Sequence, residues 1–164
     1  MITAADFTFS TEMNEKEIEL RGRYLSIACD LDYILTELIC ICFIDKHIYR
    51  KTFKILMLER ILMGRKLSIL EKALHDYNEE YFNKYKRTFN SIKILVENRN
   101  LFAHSTITSG EDKNTFIFEY IKDSEIKTKS LKIDTLFKQL GGYETDIFEL
   151  VELFNLLISE KNYL

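Results

Sequence analysis

Three residues near the middle of the chain have types and spacing suited to chemistry: Arg99, Asn100 and His104. Apolar residues recur upstream at helical spacing, Tyr85, Phe89, Ile92 and Val96, and the next two steps fall on Arg99 and Ala103. A guanidinium on such a seam is costly unless a carboxylate or a ligand anion meets it. Asn100 and His104 are one turn apart, separated by roughly 40° on an ideal helix. The carboxamide is therefore within reach of the imidazole and able to set its tautomer. Arg99 and His104 diverge by roughly 140° on a continuous helix. Either the helix ends here, as Ser105, Thr106 and Thr108 suggest, or the two residues meet across a two-fold axis between protomers. A plainer alternative has Arg99 in a salt bridge to Asp30, Asp32 or Glu37, with His104 capping the last carbonyls of its helix.

The elements that position these residues follow from composition. The 164 residues include no proline and only 5 glycines, so a fold of many tight turns is excluded and long helices are favoured. The length fits one domain, and a 46% hydrophobic content with 12 Phe and 9 Tyr suffices for a core. The 20 Ile against 5 Ala, and 16 Lys against 7 Arg, read as a low-GC, bacterial coding bias rather than a strand signal.

Residues 1–10 read as a flexible segment, with Ser10 or Thr11 capping a first helix that runs to about Phe43. Its seam is Leu20, Tyr24, Ile27, Leu31, Ile34, Leu38 and Ile41. Helical pattern resumes from Tyr49 to Tyr77 with a bend, or a break between two helices, at Gly64, and Met63, Leu67, Leu70, Leu74 and Tyr77 share a face. Asp76-Tyr77-Asn78 marks a stop and a new cap, followed by the helix that carries Arg99. Residues 105–133 change character, with branched and aromatic runs at Thr115–Ile121 and Ile126–Ile133 that predict a β-hairpin. The last helix starts near Asp134, and its period runs straight through Gly141-Gly142.

The segment Glu97-Asn98-Arg99-Asn100-Leu101-Phe102-Ala103-His104-Ser105 resembles the motif of the HEPN superfamily: Arg, a polar residue directly after it, and His after four to six intervening residues. The resemblance covers residues 11–104 and the final helix, with the hairpin near 115–133 as an insertion. It implies a mainly α fold, an antiparallel bundle of four to five long helices forming a single domain. It further implies a homodimeric, metal-independent endoribonuclease in which paired motifs line a cleft between protomers. His104 then serves as general base or acid. Arg99 holds the phosphate and stabilises its charge, and Asn100 orients His104 or the scissile group. The products are a 2′,3′-cyclic phosphate and a 5′-hydroxyl. Many relatives are toxins or phage-defence effectors restrained by a partner, so an antitoxin or nucleotidyltransferase partner is implied too. The alternative within the family is a catalytically inactive module that binds RNA, a nucleotide or a partner protein.

Charge and cysteine usage narrow the rest. A net charge of −3 predicts no uniform affinity for nucleic acid. Between Asp45 and Lys66, however, seven basic residues face two acidic ones, a local excess of +5, and Lys84, Lys86, Arg87 and Lys93 lie on the motif helix. Lys51, Lys54, Arg65, Lys66 and Lys93 are the candidate RNA contacts, although solvated faces of Lys-rich helices give the same pattern. Residues Glu144–Glu160 are purely acidic. Cys29, Cys40 and Cys42 read as buried reduced thiols. His47 and His75 are isolated, so no metal site and no cofactor are expected. No secretory leader is visible, and Tyr24–Ile44 carries too many charges for a membrane span, so a cytoplasmic protein is expected.

Overall fold

The computed structural model describes residues 11–162, with side chains undescribed at residues 11–14, 47 and 162. The expected flexible segment 1–10 and its Ser10 cap lie outside the described residues. The chain is mainly helical, with a small antiparallel sheet. The helices are α1 (Thr11–Phe43), α2 (His47–Phe53), α3 (Met63–Tyr77), α4 (Glu79–His104) and α5 (Ile133–Asn162). The strands are β1 (Thr106–Ser109), β2 (Thr115–Lys122) and β3 (Glu125–Lys132), in the order β1-β2-β3. Where a hairpin was expected the sheet has a third strand, because β1 follows the end of α4 directly and pairs Thr106 with Glu119. The break expected at Gly64 lies earlier. A π-helical turn at Lys54–Leu58 follows α2, and Gly64 sits within the first turn of α3. No helix among the described residues is long and apolar enough to cross a membrane.

The contacts group into two compact units, one of residues up to Ser26 with Asn98–Leu140, the other of Ile27–Glu97 with residues from Gly141 on. The larger unit buries Leu31, Leu35, Leu38 and Ile41 of α1, Leu67, Leu70 and Leu74 of α3, Phe89, Ile92 and Leu95 of α4, and Leu150 and Leu153 of α5. Leucine and isoleucine at steps of three and four make this burial continuous. Tyr77, expected on the core face of α3, is 77% exposed because the helix ends there. Asn78 then starts α4, its Oδ1 accepting the Tyr81 backbone N–H at 3.1 Å. Gly141 and Gly142 lie inside α5, and a Cβ at either would meet nothing within 4 Å. The run of helical hydrogen bonds therefore passes through them.

The acidic stretch of α5 is partly spoken for inside this unit. Lys84 pairs with Glu152 at 2.9 Å, Thr88 donates to Glu149, and Ser91 donates to Asp146 at 2.5 Å. Burial outweighs that last hydrogen bond and pushes the Asp146 carboxyl above its usual range.

The smaller unit is built on aromatic rings. Tyr24 of α1 stacks on Phe102 in the last turn of α4, centroids 5.0 Å apart. Phe102 meets Phe118 and Phe116 of β2 edge-on at 5.1 and 6.5 Å. Ile107 of β1 and Ile133 and Leu136 of α5 complete this core.

Candidate functional site

Helix α4 reaches its end at His104, where the Ser105 N–H bonds back to the Leu101 carbonyl at 3.0 Å. All three motif residues belong to the smaller unit and lie within the last two turns of α4. Asn100 and His104 are exposed and Arg99 is half-buried. The Arg99 Nη1 donates to Asn100 Oδ1 at 3.1 Å. That bond differs from the expected one between Asn100 and the imidazole. It leaves the Asn100 amide N–H groups and the remaining guanidinium donors available beside each other, a fork matched to an anion with several oxygens. The Ser105 hydroxyl, next to His104, is shielded from solvent and has no hydrogen-bond partner.

At the motif end of α4 the buried polar residue is Asn98, not Arg99. Asn98 is 2% exposed, and its Nδ2 donates to Gln139 Oε1 at 3.0 Å, with the Tyr24 hydroxyl at 3.5 Å. The Tyr24 hydroxyl in turn lies 3.3 Å from Gln139 Oε1 and 3.4 Å from the Leu136 carbonyl. This cluster ties α1, α4 and α5 together directly behind the motif. It satisfies the buried carboxamide, as burial of a polar group requires. Arg99, one residue on, is half-buried and donates to the exposed Asn100. Two of the three carboxylates expected as alternative partners of Arg99 are engaged elsewhere, Asp32 with Lys66 and Glu37 with Lys54.

The five basic candidates belong to the larger unit and divide by environment. Lys66 is 3% exposed, and its ammonium binds Asp32 Oδ2 at 2.7 Å and Thr36 Oγ1 at 3.0 Å. Such a lysine is a structural cross-link between α1 and α3 and has no solvent face to offer RNA. Lys54 pairs with Glu37 and Lys93 with Glu71, the latter at 2.6 Å. Lys51 and Arg65 are exposed. Of the seven basic residues between Asp45 and Lys66, then, two, Lys54 and Lys66, pair with carboxylates distant along the chain.

The thiols also differ from one another. Cys40 is buried, Cys42 half-buried and Cys29 exposed, so the expectation of three buried thiols fails at Cys29. Burial pushes the Cys42 thiol up to about 11 against the opposing field of Lys161. His75 packs its ring edge-on against Phe82, centroids 5.4 Å apart. No group of three or more metal-ligating side chains occurs among the described residues. No protein-family model, curated protein or solved structure matches this chain.

Proposed function

We propose that the chain is a metal-independent endoribonuclease of HEPN type, acting as a homodimer on RNA through Arg99, Asn100 and His104. The observation that carries this reading is the arrangement at the end of α4, where Asn100 and His104 are exposed beside a half-buried Arg99. There Arg99 and Asn100 are joined at 3.1 Å, and His104 follows Asn100 by one turn. The Arg99 guanidinium and the Asn100 amide bind the non-bridging oxygens of the scissile phosphate. They stabilise the charge that builds as a fifth oxygen approaches phosphorus. The nucleophile is the RNA's own 2′-hydroxyl. His104 from one protomer withdraws its proton, and the 5′-oxygen leaves with a proton from the partner's His104 or from water. The bond that forms is O2′–P and the bond that breaks is P–O5′, giving a 2′,3′-cyclic phosphate and a 5′-hydroxyl. The biological setting in this reading is a toxin or phage-defence effector held in check by a partner such as an antitoxin or nucleotidyltransferase.

A second reading draws on a different observation: no hydrogen bond from the described residues orients the His104 imidazole. In that reading the chain is a catalytically inactive helical module that binds RNA, a nucleotide or a partner protein through the Arg99–Asn100 fork. RNA cleavage in excess EDTA separates the two. The ribonuclease reading expects activity that chelation leaves intact and that His104→Ala abolishes. Equal activity in wild type and variant, or loss on chelation, overturns it; binding without cleavage favours the second reading.

A further inference from the structure

The three-stranded sheet has no part in the chemistry above, yet its register places it beside the motif. Strand β1 begins at Thr106, opposite Glu119, whereas β2 continues to Lys122 and turns back through β3. The hairpin thus overhangs the start of β1 by three residues, or ~10 Å at the usual rise per strand residue. The overhang lies on the side from which the chain arrives from His104.

The two faces of that overhang differ. Directly paired residues of antiparallel strands share a face, and faces alternate along each strand. Phe116 and Phe118 point to the face that receives Phe102 of α4. The same face continues outward as Tyr120 and Lys122 on β2. Their neighbours on β3 are Lys129 opposite Phe118, Lys127 opposite Tyr120, and Glu125 opposite Lys122. Beside and beyond Phe118, the face that packs the motif helix therefore carries one half-exposed tyrosine ring and three lysines, against Glu125 and, in the turn, Asp123. The opposite face carries Ile117, Glu119, Ile121, Ile126, Thr128, Ser130 and Lys132, with no such excess. Lys127 meets Glu125 at 3.6 Å and Asp123 at 3.9 Å, loose surface pairs that a phosphate readily replaces.

From this placement we infer that the overhanging end of the hairpin, with Tyr120, Lys122 and Lys127, together with Lys129 beside it opposite Phe118, is the docking platform for a single-stranded RNA entering the Arg99–His104 site. The inference rests on the ribonuclease reading for what the docked strand is used for. A ring beside a row of cations is the chemistry of single-strand binding, in which bases stack and phosphates are neutralised with little sequence preference. Duplex RNA, with its bases already stacked, gains nothing from Tyr120.

The test uses the full chain carrying His104→Ala, so that bound RNA survives, and a fluorescent mixed-sequence 20-mer RNA followed by anisotropy across salt concentrations. Replacing Lys127 and Lys129 together by Gln should weaken binding about tenfold and lower the log–log salt slope by about 1.4, or 0.7 per lost phosphate contact. The double Lys→Arg protein should bind as the parent does, and Lys132→Gln, on the other face, should change binding less than twofold. Melting temperatures of all variants identify any that fail to fold, for which Tyr120→Leu, expected to weaken single-strand but not duplex binding, provides the second reading. Equal effects of the Lys127/Lys129 and Lys132 replacements, or none, overturn the inference. The same replacements in the His104 protein separate it from the function it rests on. Unchanged KM with robust cleavage removes the platform and leaves the ribonuclease. Loss of RNA binding in a chain that never cleaves removes the ribonuclease and leaves the platform. A wild type that binds no RNA removes both.

Discussion

Replacing Asn98 by alanine isolates the part of the structure that holds the motif in place. The Asn98–Gln139 hydrogen bond at 3.0 Å is worth about 1 kcal/mol net. The 3.5 Å approach to the Tyr24 hydroxyl lies at the limit of a hydrogen bond and adds little. Removing the carboxamide from a position 2% exposed also opens a small void against the Tyr24–Phe102 stack, costing about 1 kcal/mol more. The sum is about 2 kcal/mol. For a chain of this size that is a fall in Tm of about 4–8 °C, readable in a thermal melt and as a lowered midpoint in urea. Asn100→Ala, two residues on and exposed, should stay within about 0.5 kcal/mol of wild type. If Asn98→Ala melts with the wild type, or if Asn100→Ala is the more damaging, the assignment of Asn98 as the buried anchor and Asn100 as a solvent-facing group is wrong.

Other outcomes follow from the same geometry. Asp32→Ala strands the buried Lys66 ammonium with only Thr36 and should cost about 3 kcal/mol in urea unfolding, whereas Lys66→Met, which leaves the more open Asp32 free to hydrate, should cost about 1 kcal/mol; the reverse order would contradict the cross-link. The raised pKa of Asp146 means that the folded state holds its proton more tightly than the unfolded chain does. Its contribution to stability is therefore full at acid pH, below the unfolded value, and is lost as pH rises through the raised one. Asp146→Asn should accordingly be more stable than wild type at pH 7 and lose that advantage near pH 3, as followed by urea midpoints against pH. Alkylation by iodoacetamide at pH 8, read by peptide mass, should label Cys29 rapidly, Cys42 slowly and Cys40 only on unfolding, since burial covers Cys40, half-covers Cys42 and raises the pKa of both.

Much of the helical layout was legible because so few breakers interrupt it. The period of α1 from Leu20 to Ile41 and the passage of α5 through Gly141-Gly142 are both visible as spacing alone. The α4 seam differs from the expected one for an identifiable reason. After Ile92 the sequence offers apolar residues at both the third and the fourth step, Leu95 and Val96. A seam taken through Val96 arrives at Arg99, while the seam through Leu95 arrives at Asn98 and Phe102. The large ring of Phe102 was the available signal, since Ala103 is a poor end for a core seam. The burial of Lys66 is hidden in the sequence for another reason. Its partner Asp32 lies 34 residues away, and no local pattern reports that a lysine will be covered. Strand β1, four residues long, carries too little alternation to be read without its partner β2.

The central claim is that the end of α4 directs an RNA 2′-hydroxyl onto its own neighbouring phosphate, and the most direct measurement removes that hydroxyl. A defined RNA cleaved by the wild-type chain in excess EDTA is compared with the same strand carrying a single 2′-deoxy nucleotide at the cleaved position, with product ends read by mass. The account predicts a 2′,3′-cyclic phosphate and a 5′-hydroxyl from the first and no cleavage at that bond in the second. Cleavage of the deoxy-substituted bond, or a 5′-phosphate product from either strand, would contradict it.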